Sequence, residues 1–333
     1  MNLIECLMHP YLKRSEEMLV ALHKLRMIAA HQLAEIMDVS RNYIFELKSD
    51  LNKKGEMVIS HQPDRRRRGR LPYPDHYKAG PRMYELGPAG KTVVEDILGH
   101  PINYKRLSGV QRTHYYGVND ILVRTLRRLT VEEMDRLPEG KKHLARMRVL
   151  ERLGWWNQGE TAHIMLAPWR PKLEKTYGKG KEKERLERQK RLAYPDARIE
   201  IDGRGAWLEY DNTTETIEDK ESEEKNSPLK KKDPSDRRTT IEEKLIQYIK
   251  TVGPIQNKDP IIWITLSPLR CDNMRRCWEK VKRSEEVEKI RKKTRSFFYP
   301  EMHFCLPGGE LNILLITPNE TLNKSQMIPQ TTP

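Results

Sequence analysis

Apolar residues near the amino terminus recur every three or four positions, which is the spacing of one buried face of a helix. This pattern predicts a first helix over residues 15–28, with Ser15 as its N-cap, and a second, short helix over residues 31–37. Ser40 is the predicted N-cap of a third helix, which ends at Gly55. The inward-facing residues are Met18, Leu19, Leu22, Leu25 and Ile28 on the first helix and Ile44, Leu47 and Leu51 on the third. Three helices in this order predict a helix-turn-helix whose last helix is the recognition helix.

The opposite face of the third helix is polar. Its side chains project away from the apolar residues and are available to base edges in a major groove. They are Arg41, Asn42, Phe45, Glu46 and Ser49. Three lysines on or just after the same helix would reach phosphates, namely Lys48, Lys53 and Lys54. The sequence thus predicts base-reading and phosphate-contacting side chains in one segment.

Two segments after the third helix, residues 57–59 and 82–86, predict the strands of a β-hairpin that forms a wing. Its tip carries a cluster of arginines that could follow phosphates or enter a minor groove. The cluster consists of Arg65, Arg66, Arg67, Arg68 and Arg70. A disordered, solvated charge run is the alternative interpretation. Together with the helices, the hairpin predicts a winged-helix DNA-binding domain over residues 1–100.

A second unit is predicted after residue 100. A helix begins near His114, and Asn119 flanks its apolar face. Two strands around the Gly-rich turn at residues 202–205 predict a second hairpin. Further strands are predicted at residues 261–266 and 311–317. These elements predict an α/β domain, so that the whole chain is of the α+β class.

The boundaries of this second unit follow from composition. The α/β domain is predicted over residues 101–318. Within it, residues 212–240 carry many charges and few large apolar side chains, which predicts a disordered insertion. Residues 319–333 are rich in Thr, Asn and Pro and predict a flexible tail.

Three carboxylates are expected to converge on the second hairpin. Glu209 and Asp211 lie two positions apart on one strand and therefore share a face, and the hairpin can bring Asp196 opposite them. Such a cluster needs positive charge to offset its repulsion, and Mg²⁺ is the usual partner. In the alternative interpretation, Asp196 and Asp211 cap turns while Glu209 pairs with an arginine. The spacing alone favours neither interpretation.

The net charge of +14 is confined to the first part of the 333-residue chain. Residues 1–191 hold 38 basic and 24 acidic side chains, whereas residues 192–333 hold 24 of each. A basic surface in one region is the electrostatic footprint of a protein that neutralises phosphates. The four cysteines form no CxxC pair, which argues against a structural zinc site and suits a reducing compartment. With no long apolar run and no secretory signal, a soluble, cytoplasmic protein without membrane contact is expected.

The order of several motifs resembles the replication-relaxation family, which is found on plasmids and integrative elements of mostly Gram-positive bacteria. The motifs are His114-x4-Asn119-Asp120, Trp156, Pro195-Asp196-Ala197, Leu208-Glu209-Tyr210-Asp211 and Lys244-Leu245-x2-Tyr248. The resemblance covers roughly residues 15–266. It implies a restriction-endonuclease-like second domain of the PD-(D/E)xK type, and some relatives are thought to act as relaxases that nick DNA.

The resemblance also implies roles for individual residues. Asp196 and Glu209 would occupy the two metal-ligand positions, with Asp211 as a third carboxylate at the metal. The lysine that usually follows the glutamate by two residues is replaced by Asp211, and this lysine helps to stabilise charge on the phosphate. Lys244, on the next helix, could reach the same place. Catalysis therefore stays open for this chain.

Together these observations predict a double-stranded DNA-binding protein of a bacterial plasmid or other mobile element, acting in replication, its control or mobilisation. A homodimer and partner proteins of replication or transfer fit this role. One alternative is a Mg²⁺-dependent, site-specific nickase in which water or a tyrosine attacks the phosphorus. The candidate tyrosines are Tyr115, Tyr116 and Tyr210. A second alternative is a transcription regulator whose second domain only dimerises or binds other proteins.

Overall fold

The fold is that of a computed structural model. It describes residues 2–62, 81–107, 111–178, 181, 184, 192–212, 217, 240–255, 257–294 and 297–315. In this part of the chain the architecture is α+β, with one small antiparallel sheet and one larger mixed sheet. None of the described helices combines the length and the apolar composition that crossing a membrane requires.

The amino-terminal part consists of helices packed on a three-stranded antiparallel sheet. The helices are α1 (Leu3–Leu7), α2 (Arg14–Leu25), α3 (Ala30–Met37), α4 (Arg41–Asn52) and α5 (Pro88–Leu98). The strands are β1 (Met27–Ala29), β2 (Val58–His61) and β3 (Met83–Leu86), in the spatial order β1-β3-β2. The predicted hairpin pairing is confirmed, because Val58 lies opposite Leu86 and His61 opposite Met83. The strand β1 was not expected.

The first helix is shorter than predicted. It ends at Leu25, because Arg26 adopts a positive φ of 65°, and Ile28 lies in β1 opposite Tyr84. Ser15 lies within the helix, and Lys13 is the N-cap residue instead. The predicted start of the third helix is confirmed, because the hydroxyl of Ser40 accepts a hydrogen bond of 3.1 Å from the backbone nitrogen of Tyr43. The helix ends at Asn52, three residues before the predicted end at Gly55.

The second part begins with the long helix α6 (Arg112–Arg136) and contains a five-stranded sheet. Its strands are β4 (Leu153–Asn157), β5 (Ala197–Ile201), β6 (Arg204–Asp211), β7 (Ile261–Thr265) and β8 (Met302–Cys305), in this spatial order. The other helices are α7 (Ala145–Arg152), α8 (Gln158–Leu166), α9 (Arg170–Tyr177), α10 (Ile241–Val252), α11 (Pro268–Lys282), α12 (Glu285–Lys293) and α13 (Gly309–Leu314). The first three strands are antiparallel, whereas β7 and β8 run parallel to β6.

The predicted second hairpin is confirmed as β5 and β6. Its turn residues Asp202 and Gly203 both have positive φ angles, 51° and 76°, which is what a tight two-residue hairpin turn requires. Along β6 the side chains alternate between two buried clusters. Leu208 belongs to the cluster beneath α6, and Trp207 belongs to the cluster beneath α10 and α11. Helices therefore cover both faces of the sheet.

The predicted strand at residues 311–317 is wrong. Gly308, with a φ of 94°, begins the helix α13, and the last strand of the sheet is β8, earlier in the chain. A short apolar run does not distinguish a strand from a helical turn, and here the helix is fixed by an ion pair. The buried carboxylate of Glu310 lies 2.6 Å from a guanidinium nitrogen of Arg124 on α6.

The two parts of the chain pack against each other through α6. The buried amide of Asn119 donates to the backbone oxygens of Leu25 at 3.2 Å and Met27 at 2.9 Å. The side chain of Gln32 donates to the backbone oxygen of Tyr116 at 3.0 Å. One continuous cluster of buried apolar side chains runs from α1 and α2 to the five-stranded sheet. The amino-terminal helices and sheet thus pack directly on the second part of the chain.

Candidate functional site

A close approach between α6 and β6 sets the position of the site. A Cβ atom at Gly117 would lie 2.0 Å from Cζ of the Tyr210 ring, so only glycine allows this packing. His114 lies one helical turn before Gly117 and is therefore brought to the end of the hairpin. Its ring centroid is 6.3 Å from that of Tyr210.

Asp196 lies at the centre of this site, just before β5. Its backbone nitrogen donates to the oxygen of Leu208 at 2.9 Å, and its Oδ2 accepts from the nitrogen of Tyr210 at 2.9 Å. The Nε2 atom of His114 is 3.1 Å from its Oδ1. Gln158 approaches the same oxygen at 3.5 Å. Backbone and side-chain donors together fix this carboxylate.

Glu209 is the second carboxylate of the site and is 5% exposed. Its Oε1 accepts a hydrogen bond of 2.5 Å from the hydroxyl of Tyr248 on α10. The ring of Tyr248 in turn packs edge-on against Trp263 of β7, with 6.1 Å between centroids. Sequence analysis assigned no role to Tyr248, although its position one turn after Lys244 was a usable signal.

Lys244 lies beside both carboxylates. Its positive charge favours the ionised forms of Asp196 and Glu209 and so opposes the effect of burial, which raises the pKa of both. Its Nζ is 5.9 Å from the centroid of Trp263. The helix α10 that carries it begins at the N-cap Thr240 with the capping partner Glu243. Lys244 thus approaches the carboxylates from a helix, and its role in place of the usual strand lysine stays a prediction.

Burial and neighbouring charges shift the pKa values of the site residues in opposite directions. Burial lowers the pKa of His114, but the attraction and hydrogen bond of Asp196 outweigh it and raise that pKa above its ordinary value. Burial raises the pKa of Asp196, yet His114 and Lys244 bring it below its usual range. Burial, with the charge of Asp196, raises the pKa of Glu209 well above its ordinary value. Burial and the neighbouring carboxylate of Asp196 thus both disfavour the ionised form of Glu209.

Asp211 departs from the predicted cluster. It shares a face of β6 with Glu209, as expected, but Arg270 of α11 engages both of its oxygens, with Nη2 at 2.8 Å from Oδ1. Thr265 also donates to its Oδ2 at 2.9 Å. Among the residues the structure describes, no group of three His, Cys, Asp or Glu side chains could hold a metal ion. The structure thus brings together a pair of carboxylates and keeps the third with an arginine.

The carboxylate pair opens into a cavity of about 320 Å³. The lining residues include His114, Tyr115, Asp196, Glu209, Tyr210 and Lys244. Of the three candidate tyrosines, Tyr115 and Tyr210 line the cavity. The hydroxyl of Tyr116 lies elsewhere, 3.2 Å from Nε2 of His31. Gln111 and Gln158 also line it and carried no signal in the sequence.

Asn119 and Asp120, the other two residues of the His114-x4-Asn119-Asp120 motif, do not line the cavity. Asn119 is buried against the amino-terminal part, as described above. Asp120 forms an ion pair with Arg124 and accepts a hydrogen bond of 3.4 Å from Gln32. Neither lines the cavity with His114. In this motif, His114 belongs to the site, and the other two residues join the parts of the chain.

The predicted recognition helix, α4, presents a polar face. Ile44 and Leu51 are buried, and Leu47 is half-buried. The exposed side chains are Arg41, Asn42, Glu46 and Ser49, together with Lys53 and Lys54 that follow. Phe45 and Lys48 are half-buried, and the guanidinium of Arg41 lies 5.4 Å from the centroid of Phe45. Phe45 packs partly against the core, so it is less available to a groove than predicted.

Several predicted features lie outside the described residues. They are the wing arginines Arg65, Arg66, Arg67, Arg68 and Arg70, the insertion at 212–240 apart from residues 212, 217 and 240, and the tail at 319–333. The strands β2 and β3, which bracket the wing loop, are described and paired.

Comparison with known proteins gives one match. The model of the replication-relaxation family matches residues 19–228, which is more than half of the chain and includes α4, His114, Asp196 and Glu209. No curated protein and no solved structure matches the chain.

Proposed function

The chain belongs to the replication-relaxation family, so its role lies in replication or mobile-element DNA processing, and we propose that it acts there by binding double-stranded DNA. We propose that the protein belongs to a plasmid or other mobile element. The exposed polar face of α4 is the observation that carries this proposal. Arg41 and Asn42 stand on its first turn, where helix-turn-helix proteins contact base edges.

The surroundings of α4 support duplex binding. The helices α2, α3 and α4 precede the paired strands β2 and β3, which is the order of a winged helix. The segment between β2 and β3 contains the wing arginines of the prediction. Hydrogen bonds from Gln32 to Tyr116 and from Asn119 to Met27 join this unit to α6. The positive charge confined to residues 1–191 would supply phosphate contacts.

Binding of a labelled mixed-sequence duplex by the full chain, measured by anisotropy over a range of salt, tests this proposal. Arg41→Ala should weaken binding to this duplex and, because it removes one positive charge from the interface, lower the salt slope by about one. Arg291→Ala, on α12, is the matched control because Arg291 is exposed and pairs with Glu288. Failure of the wild-type protein to bind any duplex at low salt would overturn the proposal.

A second candidate function is that of a Mg²⁺-dependent nickase. The observation that favours it is the cavity in which Asp196, Glu209 and Lys244 meet. The order of elements supports the proposed nuclease-like domain: three antiparallel strands, with α7, α8 and α9 among them, lie between α6 and α10, and a parallel strand follows α10. This likeness supports the candidate without deciding between cutting and binding alone.

The carboxylate pair fits Mg²⁺, because this ion is commonly held by one or two carboxylates together with substrate phosphates. Asp196 and Glu209 would hold it, and Asp211 is the weaker third ligand since Arg270 engages it. Bound Mg²⁺ would supply charge stabilisation at the scissile phosphate. Lys244 would add positive charge there, and His114 would keep Asp196 oriented and ionised.

Incubation of the protein with supercoiled plasmid carrying its own origin tests the second candidate. Open circles that need Mg²⁺ and disappear in Asp196→Asn and Glu209→Gln would assign the reaction to this cavity. Glu301→Gln is the control, because Glu301 is exposed and pairs only with His303 among the described contacts. Intact plasmid under conditions where the DNA is bound would reject cutting and leave a binding or regulatory role.

A further inference from the structure

A basic groove lies along α11, separate from the carboxylate cavity. It has a volume of about 1080 Å³ and is bordered by α11, the residues just after it, β8 and the first turn of α10. Its cationic side chains are Arg275, Arg276, Lys280, Lys282 and Arg283, and its acidic ones are Glu242 and Glu279. This surplus of cations is unexpected, because residues 192–333 are neutral in sum. We call this feature the α11 groove.

Some of these cations are engaged within the protein. Arg275 donates to the backbone oxygen of Phe304 at 2.7 Å and pairs with Asp272 at 2.8 Å. Lys282 pairs with Glu279 at 2.7 Å. These two side chains therefore contribute to the structure of the groove wall.

Arg276 and Arg283 differ from them. Both are exposed, and within the part of the chain that the structure describes neither has an acidic side chain in ion-pair distance. Arg276 and Lys280 lie one turn apart on α11, and Arg283 comes directly after its last residue, which places three cations within about 10 Å along the helix direction. Such a stripe has the form of a contact with a row of phosphates.

We propose that the α11 groove binds the sugar-phosphate backbone of nucleic acid, as a second contact besides α4. This inference rests on the proposed function, because it concerns the same DNA. The chemistry favours phosphates over an acidic protein, since the aromatic side chains of the groove, Trp278 and Phe304, are only 7% and 6% exposed. Protein interfaces are anchored by accessible aromatic side chains, whereas phosphates are held by guanidinium and ammonium groups.

The position of the groove agrees with this assignment. Glu242 lines the groove and Lys244 lines the carboxylate cavity, so the first turn of α10 borders both. The groove would hold the DNA that flanks the site, either as a duplex or as a separated strand.

The test is salt-dependent binding of two labelled probes, a mixed-sequence duplex and a single strand of the same length, between about 50 and about 200 mM salt. The double variant Arg276→Ala with Arg283→Ala should lower the salt slope by about two on the probe that occupies the groove. The control is Lys289→Ala with Lys292→Ala, which removes the same charge from α12 at residues that pair with Glu285 and Glu288.

The outcomes separate this inference from the proposed function. An unchanged slope on both probes, with binding by the wild type intact, would overturn the groove assignment alone. A loss of binding to polyglutamate without any change on DNA would also overturn it, in favour of an acidic protein partner. Wild-type protein that binds no duplex but binds single strands through Arg276 and Arg283 would overturn the proposed function and leave the groove assignment standing.

Discussion

The Nε2 atom of His114 lies 3.1 Å from Oδ1 of Asp196, so the first turn of α6 contacts the carboxylate that precedes β5. Farther along α6, Asn119 holds the backbone on both sides of Arg26 in the amino-terminal part. One helix therefore touches both the carboxylate cavity and the unit that carries α4.

The close packing of α6 on β6 predicts the cost of a methyl group at Gly117. Gly117→Ala would place a carbon about 2.0 Å from the Tyr210 ring, and relieving this overlap should destabilise the protein by about 1 to 3 kcal/mol. Urea unfolding measures the change. Gly140→Ala is the control, because no heavy atom lies within 4 Å of a Cβ there. Equal stability of the two variants would show that α6 does not approach β6 in this way.

The raised pKa of His114 predicts a pH-dependent contribution to stability. Because the folded-state pKa lies above the ordinary value of 6.5, the contribution is complete below pH 6.5 and is lost as pH rises through the folded-state pKa. The stability advantage of the wild type over His114→Gln should therefore shrink as pH rises above 6.5. Urea unfolding at several pH values measures it, with the exposed His143→Gln as the control. An advantage that grows with pH would contradict the His114–Asp196 contact.

The buried amide of Asn119 predicts how strongly the two parts of the chain are joined. Asn119→Ala removes both of its hydrogen bonds, and the backbone oxygens of Leu25 and Met27 lose this donor. We expect a loss of about 1 to 3 kcal/mol in the free energy of unfolding. Asn273→Ala, on the partly exposed face of α11, should change stability little. Equal losses in the free energy of unfolding for the two variants would contradict the role of Asn119 in joining the two parts of the chain.

The raised pKa of Glu209 predicts an unusual response to neutralisation. Its folded-state pKa lies above 4.5, so its contribution to stability is present below pH 4.5 and is lost as pH rises through the folded-state value. Glu209→Gln keeps an oxygen for the Tyr248 hydroxyl but carries no charge. In the presence of a chelator, it should therefore be more stable than the wild type at pH 8 and lose that advantage in acid. A variant that is less stable at pH 8 would contradict the paired, buried carboxylates.

Local signals predicted much of the fold. The structure confirms three features that depend on residues close together in the sequence. They are the Ser40 cap, the apolar spacing of α3 and α4, and the turn between β5 and β6. The end of α2 was missed because it depends on tertiary pairing of β1 with β3 and on the positive φ of Arg26. The prediction of a strand at residues 311–317 was wrong because a short apolar run has no periodicity that distinguishes a strand from a helix.

The candidate site was only partly predictable, for a similar reason. Alternation along β6 placed Glu209 and Asp211 on one face, but it could not show that two different helices cover that face. Tyr248 of α10 meets Glu209, and Arg270 of α11 meets Asp211. Such contacts between residues far apart in sequence carry no local signal, and neither did the α11 groove.

Selection of bound fragments from a pool of randomised duplexes tests whether the exposed face of α4 reads duplex DNA. We expect the wild-type protein to enrich one sequence motif and Asn42→Ala to change the preferred bases within it. The same variant should keep most of its affinity for DNA of arbitrary sequence, since Asn42 carries no charge. A pool that stays random after selection, or a motif that Asn42→Ala leaves unchanged, would contradict the claim.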